Sequence, residues 1–335
     1  MAATIKDIRR VTGLSLATIS KCLNGGNVLP ENRIKIEAAV KKLHYEANDA
    51  ARSLVTKRTR TVGVIVYEID SIFNGTLLKY IGAELRNHQY GMLICDSGQS
   101  EETEARNIAF LLSKKVDGII VIPVTEDGRV FKPALDAGVP VVLIDRYVDN
   151  SRCDCVRIDN RAAAREAVNR LIDAGHRDIA FIGSDRIFTG RERIAGYRDA
   201  MRDAGLPVKD GYCELGNHSI EHGFNGMKRL LQLPERPDAV FMANYDIILG
   251  SIMAMNTLQV SCPEEISVIG FDDLIISHVV KPDITTVVQP MSQMGEKAVD
   301  LLLDRIEREN REAPVQIVLS TKITEGDSIA VSKKG

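Results

Sequence analysis

From Thr61 onward, short runs of apolar residues alternate with amphipathic segments, and this alternation restricts the fold more than any other feature of the 335-residue chain. The apolar runs lie at 62–67, 92–95, 118–122, 141–144, 179–182, 239–242 and 266–271. Runs that are apolar throughout are typical of parallel strands that helices cover on both faces. The alternation therefore predicts an α/β core, built as one large sheet or as two lobes.

Polar and aromatic residues follow the ends of several predicted strands. In open parallel sheets, ligands bind beyond the carboxyl ends of the strands, where such side chains collect. The residues at those ends are Phe73, Asn74, Asp145, Arg146, Asp159, Asn160, Asn244, Asp272 and Gln289. The sequence therefore predicts a polar ligand site at one edge of the core.

The first 60 residues differ in charge from the rest of the chain. They contain twelve Lys and Arg against five Asp and Glu, whereas the other 275 residues contain 31 against 41. Segregated positive charge on a small module is typical of a surface that binds a polyanion. A solvated basic face would have the same composition, so the pattern within the module has to decide between the two.

That pattern predicts three short helices. Thr4 and Asp7 form a capping box before an apolar-periodic run, and Gly13 ends the run. Ser15 is positioned to cap a second helix, and a third helix is predicted over residues 30–43. Two helices joined by a tight turn and closed by a third are typical of a helix-turn-helix unit, in which the second helix enters the major groove of DNA.

Short motifs lie along the whole chain. In the first 60 residues they are Thr4-Ile5-Lys6-Asp7-Ile8, Gly13-Leu14-Ser15, Ala17-Thr18-Ile19-Ser20, Leu23-Asn24-Gly25, and Asn48 with Ala51, Arg52 and Leu54. In the core they are Val62-Gly63-Val64-Ile65, Val116-Asp117-Gly118-Ile119-Ile120, Ile158-Asp159-Asn160, Ala174-Gly175-His176-Arg177, Ile179-Ala180-Phe181, Arg193 with Gly196-Tyr197, and Gly270-Phe271-Asp272-Asp273. In this order, the motifs resemble those of the lactose/galactose repressor family. The resemblance implies a sequence-specific DNA-binding regulator, a repressor of carbohydrate-utilisation genes, that a small polar effector controls.

The resemblance also implies the domain organisation. An all-α helix-turn-helix head of three helices would occupy residues 1–46, and a hinge helix with its linker residues 47–60. Residues 61–335 would form an effector-binding and dimerisation core, an α/β fold with two lobes like the type I periplasmic binding proteins. Lobe one is expected at about 61–159 and 290–319, and lobe two at about 160–289 and 320–335.

The family's DNA-binding positions carry over to residues of the head and hinge: Thr4, Ser15, Leu16, Ala17, Thr18, Ser20, Lys21, Asn24, Arg33, Asn48, Ala51, Arg52 and Leu54. Leu16, Ala17 and Lys21 would read bases, although Lys21 is as well suited to a phosphate contact as to guanine. Leu54 would wedge between base steps in the minor groove, and the alternative is a linker residue that packs on the core. Two departures from the family lie in the head, where Leu29 replaces a capping serine and His44 a helix-ending glycine.

The family's effector positions carry over to residues of the core: Phe73, Asn74, Asp145, Arg146, Asp159, Arg193, His218, Asn244, Asp272 and Gln289. Purine-binding relatives have aromatic residues at the positions of Asn74 and His218, so a purine is disfavoured. A polyhydroxylated ligand suits this set of acceptors and donors, and the two arginines leave a sugar acid or a sugar phosphate open. Some of these residues could instead form salt bridges between the lobes.

Several chemical functions are disfavoured by the motifs. His218 to His222 fits the H-x-x-E-H string of some metalloproteases, but the sequence offers no third ligand. Phosphate-binding glycine loops and a nucleophile elbow are absent from the sequence. The six cysteines do not have the spacing of a zinc or redox site, which favours structural thiols in a reducing compartment. We therefore expect neither an enzyme nor a resident metal or cofactor.

Assembly and location complete these expectations. The C-terminal residues contain no leucine heptads that could form a helical bundle, so a homodimer that reads a pseudo-palindromic operator is expected. The chain has neither a long apolar span nor an N-terminal signal core, so we expect a cytoplasmic protein without membrane contact. The alternative function is a cytoplasmic sugar-binding or sugar-processing protein with a basic appendage that binds nucleic acid.

Overall fold

The computed structural model of the protein describes residues 3–23, 26–45, 58–273, 279, 281–307 and 313–332. The chain divides between Arg60 and Thr61 into two compact units, here called the head and the core. Within these described ranges, no helix is long and apolar enough to cross a membrane.

The head contains the three predicted helices, α1 (Ile5–Thr12), α2 (Leu16–Leu23) and α3 (Pro30–Leu43). At the start of α1, the backbone N–H and the hydroxyl of Thr4 donate to Asp7 Oδ2, at 3.0 and 2.7 Å. Gly13 ends α1 with a φ of 70°, a conformation that glycine adopts without strain. Ser15 Oγ accepts the N–H of Thr18 at 3.1 Å and caps α2. The predicted three-helix head is therefore confirmed.

A small apolar cluster holds the three helices together. Its buried members come from all three helices: Ile8, Ile19, Cys22, Ile36 and Ala39. The two departures noted in the sequence change the ends of α3. The side chain of Leu29 makes no capping hydrogen bond, and Pro30 lies in the first turn, where a missing N–H costs nothing. His44 adopts a φ of 45°, so it takes the left-handed conformation that a glycine would usually supply.

The core is built from twelve strands and eight α-helices within the described residues. The strands are β1 (Thr61–Val66), β2 (Gly91–Asp96), β3 (Gly118–Val121), β4 (Val141–Ile144), β5 (Asp154–Ile158), β6 (Ile179–Gly183), β7 (Cys213–Leu215), β8 (Ala239–Met242), β9 (Ser267–Phe271), β10 (Thr285–Val288), β11 (Gln316–Leu319) and β12 (Lys322–Thr324). The helices are α4 (Ile72–Asn87), α5 (Glu101–Ser113), α6 (Lys132–Asp136), α7 (Asn160–Asp173), α8 (Phe188–Asp203), α9 (Ile220–Gln232), α10 (Tyr245–Leu258) and α11 (Met291–Glu307).

These strands form two six-stranded sheets, one in each lobe. The order in lobe one is β11-β5-β4-β3-β1-β2, and every neighbouring pair is parallel. The order in lobe two is β12-β10-β9-β8-β6-β7, and only β12 runs antiparallel to its neighbour. The chain passes from the first sheet to the second after β5, returns after β10, and crosses again between β11 and β12. The expected α/β core with two lobes is therefore confirmed.

Helices cover both sheets, as the fully apolar strands require. In lobe one, α11 packs against α4 and against β3, β4 and β5. In lobe two, α7 packs against α8, and α9 packs against α10. Strands β5 and β10 were not among the predicted apolar runs, because Asp154 and Arg157 interrupt the first and two threonines the second.

A row of aromatic rings in lobe two leads from the covering helices to the end of β9. The rings of Phe181 and Tyr197 are 5.4 Å apart between centroids, and those of Phe181 and Phe241 are 5.6 Å apart. Phe241 in turn lies 6.4 Å from Phe271, the last residue of β9. The guanidinium of Arg193 stacks on the ring of Phe271, 3.7 Å from its centroid. The last ring of the row therefore stabilises this cation through a cation–π contact.

Candidate functional site

A cavity lies between the lobes, at the carboxyl ends of both sheets. Its lining is mostly polar and aromatic: Tyr67, Ser71, Phe73, Asp145, Arg146, Thr189, Arg193, His218, Asn244, Tyr245, Asp246 and Asp272. The cavity therefore has the position and the polarity of a site for a small polar molecule.

Two aspartates occupy equivalent positions in the two lobes. Asp145 follows β4 and Asp272 follows β9, the third strand of each sheet. Each adopts a left-handed backbone conformation, with φ of 71° and 78° respectively. Each backbone N–H donates at 2.9 Å to the neighbouring strand, to Val156 O and Val287 O. Aspartate tolerates this conformation better than most residues, and it directs both carboxylates to the cavity.

Arg146 is held on the lobe-one side of the cavity. Its Nη1 donates to the carbonyl of Pro123 at 3.1 Å, and its Nε lies 3.6 Å from Asp145 Oδ2. The guanidinium lies over the ring of Tyr67, 4.3 Å from the centroid. Backbone, carboxylate and aromatic ring together fix the orientation of this cation.

Arg193 from α8 is held on the lobe-two side. Its Nε donates to Asn160 Oδ1 at 2.8 Å, and its Nη1 donates to the carbonyl of Ala243 at 2.7 Å. Nη1 also lies 3.7 Å from Asp272 Oδ2. Arg193 is 3% exposed, and burial is the main cause that lowers its pKa. Each buried arginine therefore stands beside one buried aspartate.

Burial dominates the protonation of the cavity. It raises the pKa of Asp145 to about 6, although Arg146 and Arg193 act in the opposite direction. It also raises the pKa of Asp272 above its ordinary value, and that of Asp246 to about 6. Burial lowers the pKa of His218 to about 3, so this imidazole is neutral at pH 7. Burial therefore disfavours the ionised form of all three carboxylates.

Several buried polar atoms around the cavity have no hydrogen-bond partner among the described residues. They include Asp145 Oδ1, Asn160 Nδ2, His218 Nε2 and Gln289 Oε1. A buried polar atom without a partner costs about 1–3 kcal/mol. A cluster of such atoms at one cavity is expected where a bound molecule supplies the partners.

Seven of the ten candidate effector residues line the cavity: Phe73, Asp145, Arg146, Arg193, His218, Asn244 and Asp272. The other three are not among the lining residues. Asn74 Nδ2 donates to the carbonyl of Glu68 at 2.6 Å, and Gln289 Nε2 donates to Asp272 Oδ1 at 2.6 Å. Asp159 is exposed and caps α7 by accepting the N–H of Ala162 at 2.9 Å.

The sequence reasoning missed five lining residues: Tyr67, Ser71, Thr189, Tyr245 and Asp246. Tyr67 ends the first apolar run, and Tyr245 and Asp246 directly follow Asn244, so adjacency was a usable signal for these three. Ser71 directly precedes α4, two positions before the candidate Phe73, and Thr189 lies in the first turn of α8; no motif marked either residue.

The two histidines of the H-x-x-E-H string have different surroundings. His218 lies in the cavity, whereas His222 Nε2 lies 3.2 Å from the carbonyls of both Gly183 and Glu214. Within the part of the chain that the structure describes, one group of three possible ligands lies close together, namely Glu84, His88 and Asp300 on α4 and α11. None of the candidate site residues belongs to that group.

In the head, the candidate DNA-binding residues in and directly before α2 are all at least partly exposed. Ser15, Ala17 and Lys21 are exposed, and Leu16, Thr18 and Ser20 are half-buried. Thr4 is exposed at the start of α1. The other candidates Asn24, Asn48, Ala51, Arg52 and Leu54 lie outside the described residues.

The remaining candidate of the head, Arg33, is partly used within the fold. Its Nη2 donates to the carbonyl of Gly26 at 3.1 Å, across the loop between α2 and α3. Arg33 is half-buried. This guanidinium therefore has a structural partner as well as the charge that a phosphate would require.

Comparisons with known proteins give a consistent result. Residues 168–329 match the family model described as a periplasmic binding protein-like domain. Catabolite control protein A of Priestia megaterium is 33% identical over 318 residues, which cover 94% of this chain and 96% of that protein. The ribose operon repressor of Escherichia coli strain K12 is 33% identical over 308 residues, which cover 91% and 93%. A solved complex of the transcriptional regulator CelR with cellobiose is 29% identical with a TM-score of 0.74, covering 97% of this chain and 99% of that one.

Proposed function

The chain belongs to the lactose/galactose repressor family, and from this premise we propose that it represses carbohydrate-utilisation genes under the control of a small polar effector bound between the lobes. One observation carries the proposal. Asp145 and Arg146 from lobe one meet Arg193 and Asp272 from lobe two at a single cavity. A ligand that contacts both pairs binds with an affinity that depends on how the lobes are placed.

The chemistry of the cavity favours a polyhydroxylated ligand. Hydroxyl groups can both donate to carboxylates and accept from arginine and asparagine, so they match this mixed lining. Tyr67, Phe73 and Tyr245 add aromatic surface for the C–H faces of a sugar. The relatives named for ribose and crystallised with cellobiose support a carbohydrate as the class.

The head would supply operator recognition. In our proposal, α2 enters the major groove, with Leu16, Ala17 and Lys21 towards the bases and Thr4, Ser15, Thr18, Ser20 and Arg33 towards the phosphates. The hinge candidates Asn48, Ala51, Arg52 and Leu54 would act in the minor groove, and Asn24 near the end of α2. Leu16 and Ala17 offer apolar contacts only, so DNA shape contributes a large part of the specificity.

We further propose that the protein acts as a homodimer on a pseudo-palindromic operator. Its location would be the cytoplasm, which contains the operator DNA. One head presents one recognition helix, and two heads related by a two-fold axis read two half-sites about one helical turn apart or a multiple of it. Light scattering of the full chain, alone and with operator, tests this. A stable tetramer, or a monomer that binds operator with full affinity, would contradict the proposed assembly.

The function is tested by a mobility-shift assay against genomic fragments, with and without a panel of carbohydrates. Coupling between effector and DNA sites typically changes affinity about 5–150-fold, so one panel member should change operator affinity in that range. Asp272→Ala should lose this response, and Asp300→Asn, an exposed carboxylate on α11 outside the cavity, should keep it. Sugar binding without any specific DNA fragment would favour the alternative, a sugar-binding or sugar-processing protein with a basic appendage.

A further inference from the structure

Asp246 is the carboxylate of the cavity that has no cation beside it. It lies in the first turn of α10 and lines the same cavity as Ser71, Asp145 and Arg193. Among the described residues, its side chain forms no hydrogen bond and no ion pair. No candidate effector position of the family falls on this residue, so its role has to be derived from its surroundings.

The two arginines of the cavity do not neutralise Asp246. Arg146 stands beside Asp145 at 3.6 Å, and Arg193 stands beside Asp272 at 3.7 Å. Of the three aspartates that line the cavity, Asp246 is therefore the one without an arginine beside it.

The surroundings of Asp246 add further negative charge. Glu68 and Asp70, in the segment between β1 and α4 of lobe one, and Asp272 at the end of β9 all raise the pKa of Asp246, after burial as the largest cause. Glu68 is hydrogen-bonded to the neutral amide of Gln99, and Asp70 is exposed without an ion pair among the described residues. The amino end of α10 favours the charge of Asp246, but burial and the neighbouring acids outweigh it.

This charge distribution bears on which sugar derivative the cavity accepts. A sugar acid or a sugar phosphate would bring a second anion next to Asp246, and both arginines already have a carboxylate neighbour. A protonated amine would instead place a positive charge where the cavity has none, with Asp246 as an ionised acceptor.

We propose that the effector is a polyhydroxylated compound that carries a protonated amine, as hexosamines do, and that Asp246 binds its ammonium group. This inference rests on the proposed function, and it narrows the class of ligand for the same site. Hydroxyl groups of the ligand face the paired carboxylates and arginines. One hydroxyl donates a hydrogen bond to Asp145 Oδ1, which has no hydrogen-bond partner among the described residues.

The experiment measures binding of matched sugars to the full chain by calorimetry, with thermal stabilisation as a second readout. Each set contains an amine, its parent hexose, its N-acetyl form and an anionic form. Suitable probes are D-glucosamine, D-glucose, N-acetyl-D-glucosamine and D-glucose 6-phosphate, and the galacto and manno series. In the set that binds, the amine should bind roughly 10–100-fold more tightly than the parent hexose, the range of a hydrogen bond to a charged group. The phosphate should bind more weakly than either.

Asp246→Asn supplies the decisive comparison, because the amide has the same shape without the charge. It should remove the preference for the amine while affinity for the parent hexose changes by less than about threefold. Asp300→Asn, on the exposed surface of α11, should retain the preference.

The outcomes separate the two proposals. Tightest binding of a neutral or phosphorylated sugar, or an amine preference that survives Asp246→Asn, would overturn the inference while the proposed function stands. If no carbohydrate of any set binds or stabilises the protein, the proposed function is overturned, and this inference with it.

Discussion

Asp145→Asn should stabilise the folded core while it weakens the effector response. The carboxyl of Asp145 is 4% exposed, and burial raises its pKa from the ordinary value of 3.8 to about 6. A difference of this size corresponds to about 3 kcal/mol, at about 1.4 kcal/mol per pH unit. This value already contains the attraction of Arg146 and Arg193, so it is the net cost of holding the ionised group in the folded state.

The sign of the pH dependence follows from the raised pKa. Below about pH 3.8 the carboxyl is protonated in both states, and Asp145 imposes no electrostatic cost. Between that value and about pH 6 the folded state binds more protons than the unfolded state, so stability falls as pH rises. Above about pH 6 the full cost of about 3 kcal/mol is present, and the neutral asparagine removes it.

Thermal unfolding at pH 8 and at pH 4 provides the assay. At pH 8 the variant should melt roughly 5 °C above the wild type, because a core of this size gains about 2 °C per kcal/mol. At pH 4 the difference should be close to zero. Asp300→Asn, an exposed carboxylate outside the cavity, is the control and should change neither value. A variant that is no more stable at pH 8, or whose advantage grows in acid, would refute the reasoning.

Two further predictions concern the head and the packing behind the cavity. If Lys21 reads guanine, Lys21→Ala should weaken operator binding by about 1–3 kcal/mol and relax the preference at one base pair. If Lys21 contacts phosphate, the substitution should weaken binding to all sequences alike. Titration of single-base operator variants distinguishes these cases. Gly250→Ala in α10 should destabilise the core by roughly 1–3 kcal/mol, because the new Cβ would overlap the backbone of α9. It would lie 2.0 Å from the carbonyl oxygen of Ile220 and 2.5 Å from the backbone N of Phe224. Gly75→Ala in α4, where no atom lies within 4 Å, is the matched control, and denaturation showing equal effects would contradict the packing argument.

The elements that the sequence predicted well are those whose signal is local. Capping by Thr4 and Ser15 depends on residues three positions apart, and the fully apolar strands mark burial on both faces. Strand β5 was missed because Asp154 is buried by a partner 151 residues away: Arg305 donates to its two carboxylate oxygens at 2.8 Å. A local pattern cannot reveal such a partner.

The same limit applies to the cavity. Asp145 and Asp272 follow strands, and strand ends are readable from sequence. Asp246 is in the first turn of a helix, where an acidic residue is ordinary. Its burial and the nearby charges of Glu68, Asp272 and Asp70, which raise its pKa, become visible only in the fold. Asp159 also follows a strand, but it caps α7 at the point where the chain changes lobes and is not among the lining residues, which its position in the sequence does not reveal.

The paired aspartates also explain how a ligand can act on the position of the lobes. Asp145 and Asp272 are buried, have raised pKa values and stand at equivalent positions of opposite sheets. Each carboxylate is therefore destabilised in the folded core, and hydrogen-bond donors of a ligand would reduce that cost. A ligand that reaches one lobe relieves one carboxylate, whereas a ligand that spans the cavity relieves both. The free energy gained at the second carboxylate is available only when the lobes are close, so the binding free energy of the ligand differs between lobe arrangements. Coupling between the effector site and a DNA-binding head requires such a difference in binding free energy.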